Sequence, residues 1–311
     1  MENYNSKLMA MYGQSASMFG VALPELAAQR EDIVVLAADQ SVPAGLDKFK
    51  SMYPDRFYNV GIAEQNMIGI AAGLSDEGYL PVCVAQSCFL TMRAYEPIRQ
   101  YAGYMQKRMI LVGLFSGFTT SLMGNTHYAK EDISLMRTIP GMQVVAPADA
   151  LEAVKCFESA IISMNPTFIR LWGGTGIPVI YPTDYDYVLG KANQLRSGKD
   201  IQLVATGSMV VQVLEAATLL SEAGIEADVI NMHTIKPLDA TLLDKSKPIF
   251  SIEEHSIIGG LGDALNDVGI HVYKIGIADS FGVVGKYNYL LEQNNLTGEE
   301  IKQYILKNLN I

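Results

Sequence analysis

A single carboxylate set among small and apolar residues is the first candidate for chemistry in this chain. The stretch is Phe57-Tyr-Asn-Val-Gly-Ile-Ala-Glu-Gln-Asn-Met-Ile-Gly-Ile-Ala-Ala-Gly-Leu74. Its pattern predicts a helix over Ile62–Asp76 with Glu64 in the first turn. Small residues dominate, and Ile62, Met67, Ile68, Ile70 and Leu74 leave no wide polar stripe, so the helix is expected to be buried almost all round. Glycines at 61, 69 and 73 imply close approach by another backbone or by a flat ligand. A carboxylate there is costly to ionise unless something pairs with it. Glu64 is therefore either a surface acid favoured by the helix macrodipole or a functional acid with a raised pKa. The pattern alone leaves both readings open.

Three further side chains stand where chemistry could occur. Asp39 follows the apolar run Ile33–Ala37, and ligands of open α/β sheets bind at such strand ends. Phe89 follows the run Val82–Ala85; an aromatic there is a flat ligand platform or an ordinary core residue. His127 lies in a polar loop before a helical pattern and can donate to a developing oxyanion or simply cap the loop.

The elements that must position these residues alternate. Strands are predicted at Ile33–Ala37, Val82–Ala85, Ile110–Leu114, Gln143–Ala146 and Thr167–Leu171. Helices are predicted near Ser6–Gln29, Ile62–Asp76, Leu90–Met105, Asp132–Arg137 and Asp149–Met164. Such alternation implies a parallel sheet covered on both faces. A Gly- and Pro-rich break near 173–190 reads as an interdomain connection. Alternation then resumes with a strand at Gln202–Ala205. A helix near Met209–Ala223 follows, with Ser208 as candidate N-cap. Strands follow at Asp228–Asn231, Ile249–Ile252 and His271–Ile275. A final helix opens on the capping-box spacing Thr297-Gly-Glu-Glu300. The expected fold is α/β with two domains, 1–182 and 183–311, each a mostly parallel sheet with helices on both faces.

Bulk properties narrow the partners. The formal charge of −10 argues against nucleic acid and anionic membranes, which select basic surfaces. No apolar run reaches the ~18 residues of a transmembrane helix, and the start lacks the apolar core of a signal peptide. Cys83, Cys88 and Cys156 show neither CxxC spacing nor an even count, and read as incidental thiols of a cytoplasmic protein. The four histidines have no metal-ligand spacing.

The Glu64 segment resembles the thiamine diphosphate-binding region of the transketolase family. Phe89-Leu-Thr-Met-Arg-Ala-Tyr95, Thr126-His-Tyr-Ala-Lys-Glu-Asp-Ile-Ser-Leu-Met-Arg137, Ile139-Pro-Gly-Met142 with Ala146-Pro-Ala-Asp149, and Glu253-Glu-His-Ser-Ile-Ile-Gly-Gly-Leu-Gly262 agree with it in order and spacing. The resemblance spans nearly the whole chain and is strongest to the C-terminal subunit of a split transketolase. It implies that Glu64 shares a proton with the cofactor's aminopyrimidine and that Phe89 stacks on that ring. It places Asp39 near the thiazolium, His127 toward substrate, and Ile62 and Arg93 along the cofactor, although Arg93 could equally cap its helix. Gln86 stands where the family often has a second aromatic. His255 is expected to pack locally.

What is missing points to a partner. The family's Gly-Asp-Gly motif, which holds the diphosphate and its metal, does not occur here; Gly262-Asp263-Ala264 lies in the wrong domain. The resemblance therefore implies a separate N-terminal subunit carrying that motif together with Mg2+ or Ca2+, in an α2β2 heterotetramer. The implied reaction moves a two-carbon ketol unit from a ketose to an aldehyde. Two alternatives stay open: the β subunit of a 2-oxoacid dehydrogenase, or a non-catalytic regulatory subunit. Family positions that grip sugar phosphates fall on Phe115, near Gly173 beside Trp172, and on Pro43, and a hydroxyl-reading acid falls on Met123. A more apolar channel and a modified or unphosphorylated sugar are expected, with Arg170 either substituting or serving as a structural ion-pair partner.

Overall fold

A computed structural model describes residues 4–173 and 176–309. Residues 1–3 of the expected start, and Gly174 and Thr175 of the expected connection, lie outside the described residues. In chain order the strands are β1 (Ile33–Ala37), β2 (Phe57–Asn59), β3 (Leu80–Gln86), β4 (Ile110–Leu114), β5 (Gln143–Val145) and β6 (Thr167–Arg170). Then come β7 (Asn193–Arg196), β8 (Ile201–Ala205), β9 (Ala227–Asn231), β10 (Thr234–Lys236), β11 (Ile249–Ser256) and β12 (Tyr273–Ile277). They make two sheets, ordered β10-β5-β6-β4-β3-β1-β2 and β12-β11-β8-β9-β7. All pairings are parallel except β10 with β5 and β7 with β9.

The continuous apolar runs follow from burial on both faces. Leu36, Cys83 and Leu111 point to one core with Met67, Ile68 and Ala71. Their neighbours Val35, Val82 and Val112 point to the other, with Phe19, Leu23 and Phe157. With a side-chain period of two, a strand covered by helices on both sides needs apolar residues at every position.

Several expected helices differ. Ser6–Gln29 is interrupted: Gly13, at φ 84°, ends the first helix at Tyr12, and a five-residue π turn spans Met18–Ala22. Leu90–Met105 breaks into π turns at Phe89–Arg93 and Arg99–Tyr104 around a short α segment. The expected helix from Asp149 runs over Ala150–Ile162, with the Asp149 carboxylate accepting from Glu152 N as N-cap. Ser208 stands at its predicted helix end, but its hydroxyl goes to Glu254 rather than to the helix. Glu300 reaches back to Thr297 N and Oγ1, as the capping-box spacing implies. The last strand lies two residues later than expected.

The helix carrying Glu64 begins at Glu64 and is not buried all round. Met67, Ile68, Ala71 and Ala72 are buried toward the sheet, whereas Ile62 is 73% exposed and Ile70 is also exposed. A Cβ added at Gly61, Gly69 or Gly73 would meet nothing within 4 Å, so among the described residues nothing packs against those positions.

The two halves are joined by more than the connection. β10 follows β9 of the second sheet and completes the edge of the first beside β5. Beneath it, Arg170 (2% exposed) donates Nε to both oxygens of buried Asp132 at 2.9 Å and Nη2 to the carbonyls of Ala129 and Glu254. Ser87 Oγ adds a bond to Asp132 at 2.7 Å. Of the two readings of Arg170, the structural ion pair is the one observed.

Candidate functional site

The candidate residues gather where the first sheet's parallel strands end. Asp39 follows β1, Phe89 follows β3, Phe115 follows β4, and Trp172 follows β6. Glu64 opens the helix after β2, and His127 lies on the loop leaving β4. Ligand crevices of open α/β sheets form outside these carboxyl ends.

Four of the predicted side chains form one chain of contacts. Glu64 is 2% exposed, and Arg93 Nη1 donates to both its carboxylate oxygens, at 3.0 and 2.8 Å. The same guanidinium lies over the Phe89 ring, 4.3 Å from its centroid. Phe89 in turn meets the His127 ring edge-on, with centroids 5.3 Å apart and planes at 72°. Arg93 thus neither caps its helix nor stands free: it pairs with the acid and stacks on the aromatic. Pairing satisfies the requirement that a buried carboxylate have a charged or hydrogen-bonded partner. His127 is half-buried, with Nδ1 2.9 Å from Thr126 Oγ1.

The other predicted residues stand outside that chain of contacts. Asp39, at φ 54°, is exposed and paired with Asn59 rather than with the Glu64 group. Ile62 is an open apolar surface on the turn before the helix. Phe115 lines an interdomain cleft with Trp172, Gly173 and Tyr287. Met123 and Pro43 are exposed.

Two positioning residues were not singled out from sequence. Asn59 Oδ1 accepts from both Asp39 N and Gly61 N, tying the turn after β1 to the turn that enters the Glu64 helix. Gln65 Nε2 donates to the Arg93 carbonyl at 2.9 Å and fixes the backbone beneath that guanidinium. Both lie in the opening motif, next to the residues it drew attention to, but contacts across 20 and 28 positions leave no local signal.

His255 packs locally, as expected. Its Nε2 accepts from Ser134 N and its Nδ1 donates to Ser256 O. Burial, against the pull of Asp132, lowers its pKa to about 4. Beside it, burial pushes Glu253 up to about 7 although Leu261 N and Gly262 N donate to it. Among the described residues, no three His, Cys, Asp or Glu side chains gather to hold a metal ion, and no helix is long and apolar enough to cross a membrane.

Comparison with known proteins identifies the family. Residues 14–172 match the model for the transketolase pyrimidine-binding domain, and residues 190–275 match the transketolase C-terminal domain. A putative transketolase C-terminal section from Methanocaldococcus jannaschii is 36% identical, covering 97% of this chain and 98% of the relative. A 6-deoxy-6-sulfo-D-fructose transketolase subunit from Clostridium sp. is also 36% identical, over 88% of each chain. A solved split-gene transketolase, an inactive β4 tetramer, superposes with a TM-score of 0.84 at 37% identity, covering 94% of this chain and 97% of that one. Enzymes of this family generally use thiamine diphosphate. With both family models matched in order and relatives aligned over nearly their full lengths, the chain belongs to the transketolase family.

Proposed function

We propose that this chain is the C-terminal subunit of a split, thiamine diphosphate-dependent transketolase that moves a two-carbon ketol unit from a ketose to an aldehyde. The observation that carries the reading is the juxtaposition of a buried carboxylate, Glu64, with the face of Phe89. A flat group that can share a proton with Glu64 fits between them, since the flat Arg93 guanidinium does; an aminopyrimidine is likewise flat, and its ring nitrogen can take a proton from the acid. When bound, thiamine diphosphate supplies a carbon nucleophile that adds to a ketone and allows the neighbouring carbon–carbon bond to break. Glu64 holds a proton at the aminopyrimidine edge, Phe89 orients the ring, and His127 donates to substrate oxygen as charge develops there. Asp39 lies toward the thiazolium and Ile62 along the cofactor, with Arg93 at the rim.

The diphosphate and its Mg2+ or Ca2+ belong to an N-terminal partner carrying Gly-Asp-Gly, in an α2β2 assembly of the cytoplasm. Exposed Ile62, Ile70 and Gly73, with half-buried Gly69 beside them in sequence, support that arrangement, because a Cβ added at Gly69 or Gly73 would meet nothing among the described residues. We place the pyrimidine-binding domain at 1–182 and the C-terminal domain at 183–311. The relatives are named as transketolase sections and subunits, which favours this reading over a 2-oxoacid dehydrogenase β subunit.

Calorimetry with thiamine diphosphate and Mg2+ tests the reading. The chain alone is expected to bind weakly, and an equimolar partner carrying Gly-Asp-Gly to create a tight, metal-dependent site with ketol transfer. Tight, metal-dependent binding by this chain alone would refute it.

A further inference from the structure

Arg93 makes both contacts that an aminopyrimidine would need. Its Nη1 supplies the hydrogen bonds to Glu64, and its Cζ lies over the Phe89 ring, 4.3 Å from the centroid. A guanidinium is flat, delocalised and lined with N–H donors, so it satisfies a carboxylate and an aromatic face at once. We propose that Arg93 is a built-in stand-in for the cofactor ring: it fills the slot between Phe89 and Glu64 in the unassembled subunit and must swing out before the cofactor enters. The inference rests on the reading of Glu64 and Phe89 as the pyrimidine site.

The geometry gives the side chain a way out. Arg93 is 44% exposed although its carboxylate partner is buried, so its stem reaches the slot from the solvent side. Gln65 anchors the Arg93 carbonyl, so the exchange needs only side-chain torsions and leaves the backbone in place. In the resting subunit Arg93 prevents Glu64 from standing as a buried, unpartnered charge. The cofactor then replaces the guanidinium as the partner of Glu64, through a proton shared with its ring nitrogen, and its binding energy to this chain is a difference between two sets of contacts. A slot open only a small fraction of the time weakens apparent affinity by that fraction. This half of the site therefore stays closed to loose pyrimidines until the partner's grip on the diphosphate tips the exchange.

The test uses the isolated full chain and the headgroup fragment 4-amino-5-hydroxymethyl-2-methylpyrimidine, followed by saturation-transfer NMR. Arg93→Ala is expected to bind the fragment about tenfold or more tighter than the unmodified chain, and free guanidinium chloride to compete that gain away. Adding Glu64→Gln to Arg93→Ala should abolish the gain. Arg93→Gln, which keeps a neutral donor without the charge, serves as second variant if Arg93→Ala melts early. Equal binding by the unmodified chain and both variants, no binding by any of them, or a gain that survives Glu64→Gln would overturn the proposal. Failure of the underlying site reading has a different signature: cofactor affinity of the assembled complex would be indifferent to Glu64→Gln and Phe89→Ala.

Discussion

The ring of Phe89 stands edge-on to the imidazole of His127, centroids 5.3 Å apart, so the residue read as cofactor platform also braces the residue read as substrate-facing. Edge-to-face pairs contribute about 0.5–1.5 kcal/mol beyond burial. Phe89 is only half-buried. Its replacement should therefore cost the fold less than the ~3–5 kcal/mol typical of a core Phe→Ala change. For Phe89→Ala we expect a denaturation midpoint near that of the unmodified chain. Cofactor affinity in the assembled enzyme should fall by about tenfold, roughly 1.4 kcal/mol. A large loss of stability with unchanged affinity would make Phe89 a core residue and nothing more.

Glu64→Gln is near-isosteric and should keep the fold. If Glu64 shares a proton with the ring edge as proposed, turnover in the complex should drop on the order of 10²–10⁴. Steady-state ketol transfer at saturating cofactor measures this. Near-normal turnover would remove Glu64 from the mechanism.

Arg170 and Asp132 test a different link, between packing and the union of the two halves. Both are buried, and Arg170 also serves carbonyls from the His127 loop and from β11. Removing one partner of a buried pair leaves an uncompensated charge, a loss of about 3–5 kcal/mol. Arg170→Ala should destabilise by that order in chemical denaturation, and Arg170→Met with Asp132→Leu should recover much of it. A loss under ~1 kcal/mol would mean that water reaches the pair.

What was legible in the sequence follows from the range of each signal. β1 and β4 carry runs of adjacent apolar residues and appear at their predicted bounds. β2 and β10 are three residues long, too short for any period to show, and β10 pairs with a strand about 90 positions earlier. The π turns at Phe89–Arg93 and Arg99–Tyr104 add a residue per turn, which a 3.6-residue pattern reads as ordinary helix. Glu64 was visible as an oddity in its own segment. Its partner Arg93 lies 29 residues away, and nothing local announces the pair. The helix read as buried all round is open on one face within this chain, because small, apolar composition records burial without saying whose surface does the burying.

Acid should loosen the joint between the sheets through His233. The residue sits between β9 and β10, fully buried, against the Tyr187 ring and with Nδ1 on Thr234. Burial lowers its pKa from 6.5 to about 3, and the Asp239 charge opposes this only in part. The unfolded chain therefore takes up a proton near pH 6.5 that the native chain refuses. This contribution is intact above pH 6.5 and is lost as pH falls toward 3, at up to about 1.4 kcal/mol per pH unit. Denaturation between pH 7 and 4.5 should show a shallower decline for His233→Gln than for the unmodified chain. Parallel curves would mean that the imidazole protonates in place.

Substrate choice rests on where the chain lacks charge. Phosphate is gripped by Arg and His through charge-assisted bonds. The resemblance puts the family's phosphate-gripping histidine on Phe115, its arginine near Gly173 and its serine on Pro43, and a hydroxyl-reading acid on Met123. Phe115 lines an apolar cleft beside Trp172, and Met123 is 58% exposed. Arg170, the one cation that could have compensated from β6, is committed to Asp132 and to two carbonyls. Recruiting it would leave Asp132 buried without its partner, a loss larger than one phosphate contact returns. We expect the reconstituted complex to treat ordinary sugar phosphates as poor acceptors. It should accept unphosphorylated, deoxygenated or otherwise modified aldehydes at least as well. Comparing kcat/KM for phosphorylated and unphosphorylated aldehydes of equal length decides the matter. A preference of about 100-fold for the phosphorylated one, roughly 2.7 kcal/mol of transition-state binding, would show that a phosphate grip survives at other residues.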